Sequence, residues 1–232
     1  MSQDSYKLYI EGEAHLTAII AGLLLAMRKR EPKKILQYSE NIKKCIKKCV
    51  ELYIGRIRRL QELKPNLIFS EMEDNTISKM KKDCEKSIKE KQKRFPESYN
   101  LTQLYNLDNL IEILKRRSNK YEEYVAAFYP ELLWAIINDT PIIGTGDPHL
   151  NRLQENVMYL MIDEPSFKHL FDNLTEQRSR KMAERVLEEI KQSKAKLSYL
   201  IVGKDHIQYL PNYLKEEAQQ QNMHIDYVVY SI

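Results

Sequence analysis

Glycine is scarce in this chain, with six among 232 residues, and two of the six occupy matching places near opposite ends. The three cysteines cannot close a full set of disulfides, which speaks for a reducing compartment. No apolar run approaches the length of a membrane span. The most apolar stretch, Leu16 to Met27, is about twelve residues long, against roughly twenty required. It is also a poor signal peptide: Asp4, Glu11, Glu13 and His15 precede it, and Arg28-Lys29-Arg30 stands where small residues should mark cleavage. Walker-type loops, dinucleotide fingerprints, nucleophile elbows, internal repeats and low-complexity linkers are all missing. Arginine is outnumbered two to one, 12 against 25 lysines. Phosphate recognition tends to recruit arginine, so the net charge of +4 does not point to a specific nucleic-acid partner. These absences lead us to expect a soluble, cytoplasmic protein with no transmembrane segment, or one exported by a machine that needs no signal peptide.

What is present is an alternation of strands and helices. Residues 6–12 read as a first strand, followed by a helix from His15 to about Arg30 and a long amphipathic run from Pro32 to about Leu63. Lys64-Pro65-Asn66 breaks that run, and Leu67 to Met72 reads as a second strand. From Asp74 to Asn138 the text is helical and heavily charged, split at Pro96. Pro141 to Gly146 reads as a third strand and turn, with helices from about Leu150 to Gln192. The chain closes with a strand at 197–203, a helix at 207–221 and a strand from His224 to Ser231. This order predicts a single α/β domain over 1–232: a mostly parallel central sheet flanked by helices, with a helical insertion at about 74–138.

The two matching glycines head one repeated pattern. Lys7 to Glu11 leads into Gly12-Glu13-Ala14-His15, and Leu197 to Val202 leads into Gly203-Lys204-Asp205-His206. A glycine there allows a sharp exit from a strand, and ligands bind at the carboxyl ends of strands in open α/β sheets. Polar residues also end the other strands: Glu71 after the second, and Gly146-Asp147 after the third. Glu13 with His15, joined by Glu71 and His206, would make either a metal site or an acid/base pair. Helix caps and surface histidines are the plainer reading of any one such motif.

The order of these motifs resembles the TraB/PrgY/GumN/Tiki family and, more distantly, the erythromycin esterase and ChaN-like proteins. Gly12-Glu13-Ala14-His15 matches the Gly-Glu-x-His of the esterase and ChaN branches. Lys64-Pro65-Asn66 to Glu71 is similar to the family's Lys-Pro-Asp, apolar residues and Glu, with Asn for Asp. Gly146-Asp147 resembles its Gly-Asp-Arg, with Pro148 for Arg. Arg178 to Ala183 resembles Arg-Asp-x-x-Met-Ala, with Ser179 for Asp. Tyr199 to His206 with Leu210-Pro211 resembles the closing strand, Gly-x-x-His and Leu-Pro. The likeness covers about 1–72 and 140–232. It implies a catalytic site of Glu13, His15, Glu71, Arg178 and His206. The implied activity is hydrolysis of a peptide or a small-molecule ester by His/Glu-activated water. The Tiki branch adds a divalent metal such as Mn, Zn or Co, which Glu13, His15 and His206 would hold. The alternative is a catalytically inactive binding protein, including a secreted bacterial effector, that uses the helical insertion as its partner surface.

Other signals carry less. Cys45 and Cys49, one helical turn apart, have no second ligand pair nearby and read as half-buried thiols, and Cys84 is isolated. Lys79 to Arg94 holds eight basic and three acidic residues, the pattern of a solvated helix face with phosphates or an anionic membrane as the sharper alternative. Gly146-Asp147-Pro148-His149 reads as a turn. His169 and His224 read as ordinary surface or strand residues. Tyr124, Phe128, Tyr129 and Trp134 read as core of the insertion.

Overall fold

A computed structural model describes residues 5–13, 33, 51–94 and 129–230. The chain divides into two compact units, one of 1–13, 64–78 and 140–232, the other of 14–63 and 79–139. The first contains a five-stranded, all-parallel sheet in the order β3-β2-β4-β1-β5, so the α/β expectation holds. Its strands are β1 (Ser5–Glu13), β2 (Leu67–Ser70), β3 (Ile142–Gly144), β4 (Leu197–Gly203) and β5 (His224–Tyr230). Parallel strands need covered faces, and the central ones read as near-continuous apolar text for that reason. β2 and β4 are buried along nearly their whole length.

Among the described residues five helices follow in chain order: α1 (Asp74–Arg94), α2 (Pro130–Ile137), α3 (Pro148–Asp163), α4 (Lys168–Ser193) and α5 (Leu210–Gln220), besides a helical stretch at 51–63. One sheet face presents Leu8 and Ile10 of β1, Leu67 and Phe69 of β2, and Leu200 and Val202 of β4. It packs on Met182, Val186, Leu187 and Ile190 of α4 and Leu210 and Leu214 of α5. The buried stripe of α4 is longer than its apolar part. It starts with Thr175, Arg178 and Ser179 and only then becomes Met182, Ala183, Val186, Leu187 and Ile190. The i, i+3, i+4 spacing keeps all eight on one side of the helix.

The glycines act differently from the sequence expectation. No described glycine has positive φ, and Gly12 is an ordinary strand residue inside β1. Its role is close approach: a Cβ there would lie 2.7 Å from Ile207 Cγ1, in the turn that follows β4. Gly144 is tighter still. A Cβ would stand 2.4 Å from both Asp74 N and Met72 O, so only glycine lets the end of β3 lie against the segment leaving β2.

The second unit is described by its helices alone. Ile57 and Leu60 of 51–63, Met80, Cys84 and Ile88 of α1, and Leu132 to Ala135 of α2 are buried. Arg56 and Glu131, both buried, pair at 2.8 Å. Burial raises the Cys84 thiol to about 12, which keeps it protonated at neutral pH. Cys45, Cys49, Tyr124, Phe128 and residues 95–128 of the expected insertion lie outside the described residues.

Two measurements check this packing. Gly144→Ala is expected to lose about 1–3 kcal/mol in urea unfolding. Gly55→Ala, inside a helix where the atoms nearest the new Cβ belong to the flexible Arg59 side chain, is expected to gain up to about 1 kcal/mol. In a Cys45→Ser/Cys49→Ser background, Cys84 is expected to resist a thiol-disulfide reagent near pH ~8 until denaturant is added. Prompt reaction of the native protein would contradict its burial.

Candidate functional site at the carboxyl edge of the sheet

The strand order fixes where a crevice opens. The chain leaves β2 toward β3 at one edge and leaves β4 toward β5 at the other, and β2 and β4 are neighbours. Outgoing connections of adjacent strands thus diverge, which is the switch point at which open α/β sheets hold ligands. Glu71 stands there, one residue beyond β2. Its backbone N–H still donates to Ile201 O of β4 at 3.1 Å, extending the ladder.

The Glu71 carboxylate bridges three elements. Its Oε2 accepts from Gly203 N at the end of β4, at 2.5 Å. Its Oε1 accepts from Arg178 Nη2 of α4 at 2.5 Å and faces His206 Nε2 at 3.3 Å. His206 closes the 3-10 turn Lys204–His206 that follows β4, and the helix expected from residue 207 begins at Leu210. The turn is held by Ile207 N to Lys204 O at 3.1 Å and Tyr209 N to His206 O at 3.0 Å. It points the imidazole inward, and His206 is buried.

A second layer of polar groups holds the first. His206 Nδ1 lies 2.7 Å from Ser179 Oγ, and Ser179 Oγ gives its one hydrogen to Thr175 O at 2.7 Å. The hydroxyl is then left as the acceptor for Nδ1–H. Arg178 Nη1 donates to Gln154 Oε1 of α3, and Gln154 Nε2 donates to Thr175 Oγ1 at 2.6 Å. One nitrogen of the guanidinium is left over: Arg178 Nε is buried and has no hydrogen-bond partner among the described residues. A spare charged donor in a buried cluster is unusual, because leaving such a group unmatched is costly.

Of the five residues expected to form the site, Glu71, Arg178 and His206 come together. Glu13 sits at the same sheet edge, at the end of β1 in register with Gly203. His15 lies outside the described residues. Asp147 does something else: it caps α3, its Oδ1 accepting from His149 N and Leu150 N at 2.9 Å each. His149 and Asp205 are exposed. His169 is exposed and bonded to Ser166 O, and His224 faces Asp226 at 3.7 Å, both exposed. Sequence reasoning missed Ser179, Thr175 and Gln154. Ser179 stands where the resemblance expects Asp, yet it is the residue that holds His206.

A separate cleft of about 290 Å³ opens at the end of β3, lined by Asp74, Thr145, Asp147, Lys181, Arg185 and Glu188 among others. Most of its charges are internally paired. Asp74 accepts from Gly144 N at 2.7 Å and from Arg185 at 2.6 Å, and Lys181 pairs with Glu184 at 2.8 Å. None of Glu71, Arg178 and His206 lines it.

Among the described residues no group of three or more His, Cys, Asp or Glu side chains is placed to hold a metal ion. Both ring nitrogens of His206 face protein partners. The described residues alone therefore do not make the expected metal site. Among them, too, no helix is long and apolar enough to cross a membrane. No family model, no curated protein and no solved structure matches the chain.

The cluster behaves as a unit only if its charges are coupled. Glu71→Gln or Arg178→Met alone is expected to cost roughly 3–5 kcal/mol, because each strands a buried partner. The double variant is expected to fall short of the sum by at least about 1 kcal/mol in a urea-unfolding cycle. Simple additivity would mean that the two side chains do not support each other.

Proposed function

We propose that this protein is a hydrolase resembling the TraB/Tiki and erythromycin esterase group, acting on a peptide or ester bond with water activated at the Glu71 cluster. The observation that carries the reading is the meeting of Glu71, Arg178 and His206 at the switch-point crevice, with Arg178 Nε left as an unused donor. The Glu71 side chain is 17% exposed, against 10% for Arg178 and 3% for His206. Glu71 is therefore the member that meets a substrate, and His206, fixed by Ser179, positions it.

In this reading a water molecule gives one proton to a base at the site while its oxygen bonds to the substrate carbonyl carbon. Glu71 serves as that base, with His15 as the second candidate. The charge developing on the carbonyl oxygen is stabilised by the positive guanidinium of Arg178 beside Glu71. The C–N or C–O bond then breaks as the leaving group takes up the proton. No step runs through a metal.

A specific observation favours the second reading, a binding protein that has kept the fold without the chemistry. Both Glu71 oxygens and both His206 nitrogens already face partners inside the protein, which leaves little for a reacting water to bind. The two readings separate in one assay. Purified protein is tested on panels of activated esters and peptides, with and without added Mn, Zn or Co. The hydrolase reading expects turnover of one class. It also expects at least a hundredfold loss in both His15→Ala and Glu71→Asp, with far-UV circular dichroism unchanged. Absence of turnover of every substrate under every metal condition would leave the binding reading in its place.

A further inference from the structure

Helix α1 carries its charges in a pattern that the crevice does not use. Its buried side is the stripe Ile77, Met80, Cys84 and Ile88. Lys79, Lys82, Lys86, Lys89 and Lys93 recur at alternating spacings of three and four, and all five are exposed. At ~100° per residue they fall within an arc of about 80°, centred opposite the buried stripe. From first to last they extend over roughly 21 Å of helix.

The carboxylates of the same helix do not neutralise this row. Asp83 and Glu90 lie on one flank of it, and Glu85 is paired at 4.0 Å with Lys81, which lies off the row. Among the described residues none of the five lysines enters an ion pair. Like charges at i, i+3 and i, i+4 repel along a helix. Each row lysine also has a carboxylate three or four positions away, but among the described residues none of these closes to an ion pair, so the row keeps an exposed positive face that an anionic surface laid along it would complement.

We propose that this lysine row docks the protein on the surface of an anionic lipid bilayer. Three observations choose a bilayer over a nucleic acid. The array is straight and one-sided, which suits a plane and not the curved backbone of a duplex. It holds lysine throughout, a point charge that needs no matched geometry, where phosphate recognition in nucleic acids favours the arginine fork. The row itself contains no aromatic residue on which a base would stack. Docking is electrostatic and peripheral, because the apolar side of α1 is spent on the protein interior.

The test is co-sedimentation of the full chain with phosphatidylcholine vesicles, plain or containing about 30% phosphatidylserine. Binding is expected only to the anionic vesicles, and it is expected to vanish near ~0.5 M salt as charges are screened. Each lysine near an anionic leaflet contributes roughly a fivefold factor. The variant Lys79→Gln/Lys82→Gln/Lys86→Gln/Lys89→Gln/Lys93→Gln should therefore bind at least a hundredfold more weakly. Two controls carry the weight. A charge-matched variant with Gln at Lys168, Lys181, Lys191, Lys194 and Lys215 should keep most of the binding, and Lys→Arg at all five row positions should keep it fully, which excludes misfolding as the cause. The proposal is overturned by wild-type protein that ignores anionic vesicles, or by equal losses in the row and charge-matched Gln variants. It also fails if duplex DNA or RNA is bound through the row while vesicles are not.

Discussion

The carboxylate of Glu71 ties together three elements at one edge of the sheet: the end of β4, the turn beyond it and the polar half of the α4 stripe. It takes a backbone hydrogen from the end of β4 and a guanidinium hydrogen from α4, and it meets the Nε2 edge of the imidazole from the turn beyond β4. Without it, the end of β4, the turn carrying His206 and the first half of α4 would each lose a partner for a polar group in a mostly buried place. Such groups are expensive to leave alone and inexpensive to keep once matched. The same carboxylate is the most open member of its cluster, so the group that secures the edge is also the one presented outward.

Sheet topology explains why the cluster lies where it does. Parallel strands all end at one edge, and the order β3-β2-β4-β1-β5 makes the connections of β2 and β4 part company there. Residues far apart in the chain then become neighbours: Glu71 and His206 are separated by 135 positions and Glu71 and Arg178 by 107. The close approaches at Gly12 and Gly144 belong to the same geometry. Gly12 leaves room for the Ile207 side chain beyond β4, and Gly144 lets the end of β3 lie against the backbone leaving β2.

Much of this was legible in the sequence. The strands are apolar, short and bounded by Pro, Asn or Gly, and β4 was read at its observed limits, Leu197–Gly203. Glu71 and His206 were legible because each is a polar residue at the end of a strand. Arg178 was not legible by that route, since a charged residue inside a helix looks like any other solvent-facing one, and only the family resemblance singled it out. Ser179, Thr175 and Gln154 were invisible for a related reason: small polar residues on helices become meaningful only when their neighbours in space are known. Glycine was read through its backbone freedom, whereas its contribution at positions 12 and 144 is the missing Cβ.

The division of the α4 stripe into Thr175, Arg178 and Ser179, then Met182 onward, places two physical demands on one helix. The later half is seated by apolar contacts with the sheet, the earlier half by hydrogen bonds. Exchanges among polar residues in the earlier half leave that apolar seating in place, so the polarity of the crevice can change while the helix stays where it is.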